Sequence, residues 1–253
     1  MNIHDKWMLV TGIFVGCYAG GVLAEEMITD RPDATESSSV VQPGFVQGEL
    51  GWLYTKNEDV RAHEVPQMLF RIGVIERVEL RLGWAGYQAV NGSGGADGVG
   101  DFELGAKVFL AEEQGAFPEM ALLGAVSMPS GDDDVSSGEF DPSFRFAFSH
   151  TLSDTFSLGY NLGAEWETEV DSMLSSFVYT AALGAGLSDA IGAFVEVFGD
   201  VGMSASGEAH SFDGGLTYLL RENLQLDAYA GVGLSDGADD WFAGTGISFR
   251  FPN

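Results

Sequence analysis

Cysteine is almost absent from this chain. One occurs in 253 residues, at position 17, so no disulfide framework holds the fold. Basic residues are scarce: 11 Lys+Arg face 38 Asp+Glu, a net charge of −27. That balance excludes a nucleic-acid partner, which needs a basic surface. It fits a solvated acidic surface or a field that attracts cations. Histidine is equally sparse, and His63 and His210 fall in predicted loops without ligand spacing, so no zinc site is supported. The hydrophobic fraction, 45%, is ordinary for a soluble protein. That does not exclude a membrane barrel, in which only alternate residues meet lipid.

What is present begins with a secretion signal. Residues 1–24 carry Lys6, an apolar run Trp7–Val15 and the small-residue site Val22-Leu23-Ala24. Cleavage there leaves a chain beginning near Glu25 with no cysteine, which rules out thiol catalysis. Lipoprotein processing at Cys17 after Gly16 is the competing reading, but Phe14 and Val15 make a poor lipidation signal. Residues 25–44 are polar and predict an irregular segment, either loose in the periplasm or tucked into a barrel.

From Phe45 to Phe251 large apolar residues alternate with small or polar ones. In the last stretch Trp241, Ala243, Thr245, Ile247, Phe249 and Phe251 share one parity, and Phe242, Gly244, Gly246, Ser248 and Arg250 the other. A strand sends successive side chains to opposite faces, so this is a strand with one greasy face. The same grammar recurs from Val46-Leu50-Trp52 through Leu224-Leu226-Ala228 and gives about twelve strands. The segment 118–128 is apolar on both parities and leaves its orientation open. Short connections are predicted after strands two, six, eight and ten, and longer ones after strands one, three, five, seven and nine. That alternation predicts periplasmic turns and extracellular loops, with both termini periplasmic. The fold class is therefore all-β: a transmembrane antiparallel up-and-down barrel (residues 45–253) in the outer membrane of a Gram-negative bacterium. A soluble β-sandwich also alternates. Against it stand aromatics near strand ends, an aromatic-rich final strand, and the lack of a core-sized apolar set once the outward face is removed.

The residues of the opposite parity supply the site candidates. Arg71, Glu79, Arg81, Asp101, Glu103, Lys107, Arg145, Glu165, Glu196 and Asp227, with Glu49, Asp213 and Arg250, are expected to face the lumen. They form either a space-filling ion-pair network or a charged constriction that selects solutes. Asp30, Arg31 and Asp33, within 29–37, are candidates for a plug. The run Asp132-Asp133-Asp134 with Glu139 and Asp141 lacks the spacing of a dedicated calcium loop and reads as a solvated acidic loop. Ser149, His150 and Ser153 prompt a hydrolase reading, but no nucleophile elbow is present, so no enzyme is expected.

Several segments also resemble a known family. Thr29-Asp30-Arg31-Pro32-Asp33-Ala34-Thr35-Glu36-Ser37 and Val40-Val41-Gln42-Pro43-Gly44 form the opening, and Gly100-Asp101-Phe102-Glu103-Leu104-Gly105-Ala106-Lys107 is the second specific run. Arg71-Ile72-Gly73, Val78-Glu79-Leu80-Arg81, Ser127-Met128-Pro129-Ser130-Gly131, Gly214-Gly215-Leu216-Thr217-Tyr218 and Leu224-Gln225-Leu226-Asp227 add to it. Together they resemble the MetA-pathway-of-phenol-degradation family of outer-membrane, transporter-like barrels; Ser130 stands where threonine is expected. The resemblance implies passage of small organic solutes, aromatic compounds among them. The expected partners are outer-membrane lipid, such solutes, and the assembly machinery that reads the C-terminal strand. No cofactor is implied. A pore-less structural barrel is the alternative.

Overall fold

The structure is a computed structural model that describes residues 27–92, 95–169, 172–203 and 207–252. The signal segment 1–24 and Cys17 lie outside the described residues. Fourteen strands form one antiparallel sheet. They are β1 (Val46–Asn57), β2 (Val60–Ile75), β3 (Val78–Trp84), β4 (Tyr87–Asn91), β5 (Gly98–Val99), β6 (Phe102–Ala111) and β7 (Glu119–Met128). The remainder are β8 (Asp141–Thr151), β9 (Phe156–Glu169), β10 (Ser172–Gly186), β11 (Ile191–Gly202), β12 (Glu208–Arg221), β13 (Leu224–Gly233) and β14 (Trp241–Phe251). Because β1 pairs with both β2 and β14, the sheet closes on itself. Closure removes the exposed edges that an open sheet would present. β3 and β4 are two halves of one stave against β2, and β5 and β6 are likewise two parts of the next, so the barrel has twelve staves.

The alternation in the sequence is the division between outside and inside. On β12, Phe212, Leu216, Tyr218 and Leu220 are exposed while Ser211 and Asp213 are buried. On β3, Leu80 and Leu82 are exposed and Glu79 and Arg81 buried. The largest fully buried side chains are polar: Arg71, Lys107, Gln47, Glu49, Glu79, Glu196 and Asn161. A polar interior under an apolar skin is stable only where lipid replaces water outside. β7, ambiguous in sequence, turns Ala121 and Leu123 inward against Ala147 of β8. Aromatic pairs mark both rims. Trp84 stacks on Phe102 at 5.6 Å and Tyr54 meets Trp241 at 5.0 Å on one; Phe148 stacks on Tyr160 at 4.8 Å on the other.

Two expectations need correction. The connections after strands one and seven are not long: β1 runs to Asn57 and β2 resumes at Val60, and β9 and β10 close likewise between Glu169 and Ser172. The lipid-facing alternation ends where the membrane ends, but backbone pairing continues, so Lys56, Arg61, His63 and Glu64 belong to a ladder although they read as loop. The third stave is also not continuous. It bends at Ala85-Gly86, where Gly86 adopts a φ of 80°.

Candidate functional site

Residues 27–45 do not leave the barrel. The chain enters β1 through a hairpin-like crossing of β2: Gly44 N–H donates to Gly73 O at 3.2 Å, and Gly73 N–H donates to Phe45 O at 3.0 Å. A Cβ at Gly73 would collide with the Gln42 carbonyl, so the crossing requires glycine there. From this point the segment runs back through the lumen.

Asp30 is the centre of its attachment. Its carboxylate lies 2.6 Å from Arg81 Nη1, 2.9 Å from Lys107 Nζ and 3.1 Å from Arg71 Nη1. Its backbone N–H donates to Glu49, and its Oδ1 accepts from the Ser37 N–H and hydroxyl. Arg71 also pairs with Glu79 at 2.9 Å and Glu49 at 3.3 Å, and Arg81 forks onto Glu36 at 2.7 and 2.9 Å. Burial alone would raise the Asp30 pKa, but Arg71, Lys107 and Arg81 outweigh it and hold the carboxyl well below the usual carboxylate range. Three cations and four carboxylates thus share one dry cluster on the β1–β6 wall.

Further contacts tie the segment around the barrel wall, one an ion pair and the others neutral or single-charge hydrogen bonds. Arg31 pairs with Asp227 of β13 at 3.1 Å. Ala34 N–H donates to Glu196 at 2.7 Å, and the Thr35 hydroxyl bridges Glu196 and Thr180, the latter at 2.7 Å. Asn161 of β9 makes a reciprocal pair with the Glu36 backbone at 2.7 and 2.9 Å. Ser38 donates to Glu119 of β7 at 2.6 Å, and Val41 N–H to Glu79 at 2.7 Å. The segment is tied around most of the circumference and fills the waist.

Open space remains on both sides of it. Toward the long loops lies a cavity of about 320 Å³ lined by Arg31, Asp33, Leu53, Gln67, Phe198, Asp213, Tyr229 and Phe242. Toward the short turns lies one of about 280 Å³ bounded by residues of 28–39 with Phe148, Ser157, Ala182 and Phe194. Asp33 borders both.

The sequence candidates therefore separate. Arg71, Glu79, Arg81, Lys107 and Glu49 meet at Asp30; Asp227 and Glu196 hold Arg31 and residues 34–35. Glu103, Arg145 and Glu165 stand apart in an outer vestibule, where Arg145 and Glu165 approach to 3.7 Å. Asp101, expected on the lumen face of strand four, immediately precedes β6 and borders the same vestibule. It accepts from Ser130 N–H, Gly131 N–H and the Ser136 hydroxyl, and so ties down a loop at the vestibule edge. Arg250 lies over the Phe45 ring. Asp132 accepts from Val99 N–H and Asp141 from Thr168, and no metal-holding cluster occurs among the described residues. His150 lies beside Glu113 and Tyr160 at the turn rim. Residues not singled out within the expected plug segment 29–37 are Thr35 and Glu36; on the strands they are Asn161 and Thr180, along with the lumenal rings Phe198, Tyr229 and Phe242. Inward parity was the one mark of those on the strands.

A closed barrel with an apolar skin, aromatic rims and a polar interior is an integral outer-membrane barrel of Gram-negative bacteria. Solved structures of that class share the fold. An outer membrane channel from Pseudomonas putida superposes with a TM-score of 0.66 at 14% identity, covering 85% of this chain and 98% of its own. The NanC porin gives 0.60 at 8% identity (80% and 98% covered), and the KdgM porin 0.57 at 10% (81% and 99%). The chain belongs to the family described as "Putative MetA-pathway of phenol degradation", whose profile matches residues 29–251. No curated protein matches it in sequence.

Proposed function

We propose that the protein is a passive outer-membrane channel for small organic solutes, aromatic ones included, and that residues 28–41 gate it. The observation that carries this reading is the pair of cavities, one on each side of a segment bound to the wall through hydrogen bonds and ion pairs. A segment so held is removable without disturbing the strand ladder. Arg71, Arg81, Glu79, Lys107, Glu196 and Asp227 are then the docking residues of the gate. Arg145, Glu165 and Glu103 line the approach, and Asp101 shapes its edge. The three neighbours reported above are a channel and two porins, which favours transport over catalysis. The family description favours phenolic or related solutes. The exposed Trp241–Phe251 strand supports recognition by the assembly machinery.

Proteoliposome swelling tests this. Phenol and benzyl alcohol should enter faster than into protein-free vesicles, and rates should rise when docking is weakened. A second reading, a pore-less structural barrel, rests on the buried and multiply bonded Asp30 cluster. It predicts no flux from either the native chain or undocked variants.

A further inference from the structure

The loop-side cavity has a chemistry that the gate does not use. Asp213 projects into it from β12 with only 2% of its surface exposed, and its Oδ1 has no hydrogen-bond partner. Directly across the ladder stands Glu196, itself occupied by Ala34 and Thr35. Like charges placed opposite one another on neighbouring strands destabilise a sheet. Among the described residues that line the cavity the cation is Arg31, and it is held by Asp227. Asp33 adds a third carboxylate at the floor, its pKa raised well above the usual range by burial and then by Glu196 and Asp213.

The wall that flanks Asp213 is aromatic. Phe198 meets Phe242 edge-on at 5.9 Å, and Tyr229 lies 6.3 Å from Phe242. Arg31 already sits 5.9 Å from the Tyr229 centroid, so this wall accepts a cation over a ring face. Gly231 makes the arrangement possible. It pairs with Phe242, and a Cβ there would run into both the Phe242 ring and Asp213.

We propose that this cavity is a binding site for small organic ammonium ions. The charged nitrogen would lie against Asp213 and its hydrocarbon body against Phe198 and Phe242. A carboxylate in a dry aromatic pocket prefers such a cation to a neutral isostere, because only the cation compensates the buried charge. A volume of about 320 Å³ admits a ring and a short amine-bearing chain. The site does not depend on solute passing through the barrel.

Calorimetric titration of the refolded full chain in non-ionic detergent at pH 7 tests it with three probes of one size: benzylammonium, benzyl alcohol and benzoate. Benzylammonium should bind on the order of tenfold more tightly than benzyl alcohol, with no measurable benzoate binding. Asp213→Asn should abolish the preference for the cation, and Phe242→Leu should weaken all binding while keeping it. Equal affinity for the amine and the alcohol in the native chain overturns the proposal, as does an undiminished preference in Asp213→Asn. If Asp213→Asn does not fold, the native-chain comparison and Phe242→Leu decide. A barrel that binds benzylammonium but passes no solute in swelling assays refutes the channel and leaves this site standing.

Discussion

Arg81 of β3 donates to Asp30 across 2.6 Å, and this contact joins a wall strand to the segment that fills the lumen. Lys107 and Arg71 converge on the same carboxylate. Asp30→Asn leaves three buried cations short of one counter-charge. Breaking a buried ion pair from one side costs about 3–5 kcal/mol. The ladder from β1 to β14 does not involve Asp30, so the loss should fall on docking of the segment. The expected result is faster proteolysis within residues 28–41 and larger single-channel conductance, with the heat-stable gel mobility of the barrel unchanged. Unchanged protease resistance would show that the other contacts with the wall suffice.

The Thr35 and Thr180 hydroxyls stand 2.7 Å apart, one on the segment and one on β10. Cysteines at both positions, with Cys17→Ser, place two sulfurs within reach of a disulfide. Oxidation should reduce solute flux to near the protein-free rate, and reductant should restore it. Equal flux in the two redox states would mean that solutes pass without movement of the segment.

Docking should also depend on pH, with one sign from Asp33 and Glu36 and the opposite sign from Asp30. Asp33 has its pKa raised in the docked state by burial and by the neighbouring Glu196 and Asp213, with Asp30 adding a smaller effect. A raised carboxyl favours docking where it is protonated, and that contribution is lost as pH climbs from the ordinary carboxylate range through the docked value. Asp30, whose pKa is lowered, contributes docking above the ordinary range and loses it as pH falls through its lowered value. Conductance should therefore rise with pH above the carboxylate range and rise again in strong acid. Asp33→Asn should reduce the first rise without removing it, because burial also pushes the Glu36 carboxyl of the same segment up to about 7. A native profile that falls as pH increases from 5 to 8 would contradict the assignment.

Parity is what the amino-acid order made legible. Leu80 and Leu82 against Glu79 and Arg81 is a period-two signal that survives folding unchanged, since a strand has no other way to place them. The limits were those of parity itself. It says that Asn161, Thr180 and Phe242 point inward, but not that Asn161 pairs with the Glu36 backbone or that Phe242 lies over Gly231. Those contacts join residues far apart in the chain, and only barrel closure brings them together. The polar order of residues 25–44 suits a solvated leader as well as a lumenal segment. The choice depends on Asp30 finding Arg71, Arg81 and Lys107, which lie on three different strands. Parity carried one residue past the start of β6 still places Asp101 beside Glu103 and Arg145, but it says nothing of the bonds by which Asp101 holds the 130–136 loop.

Two leucines on one strand give a measure of depth. Leu216 and Leu220 of β12 both face outward, with 55% and 49% of their surface exposed. Leu216 lies deeper along the strand, paired with Ala193 and Ala228, whereas Leu220 is one residue from the short turn after Arg221. In lipid the cost of arginine depends on depth, about 2–4 kcal/mol at the midplane and about 0–1 near the interface. Leu216→Arg should therefore lower the folding free energy in phospholipid vesicles well beyond Leu220→Arg, as read by urea titration of tryptophan fluorescence. The same two substitutions on a sheet face bathed in water would each cost little and would not differ. Equal small effects would thus displace the membrane from this face, while the expected ordering locates the hydrocarbon core nearer Leu216 than the turn.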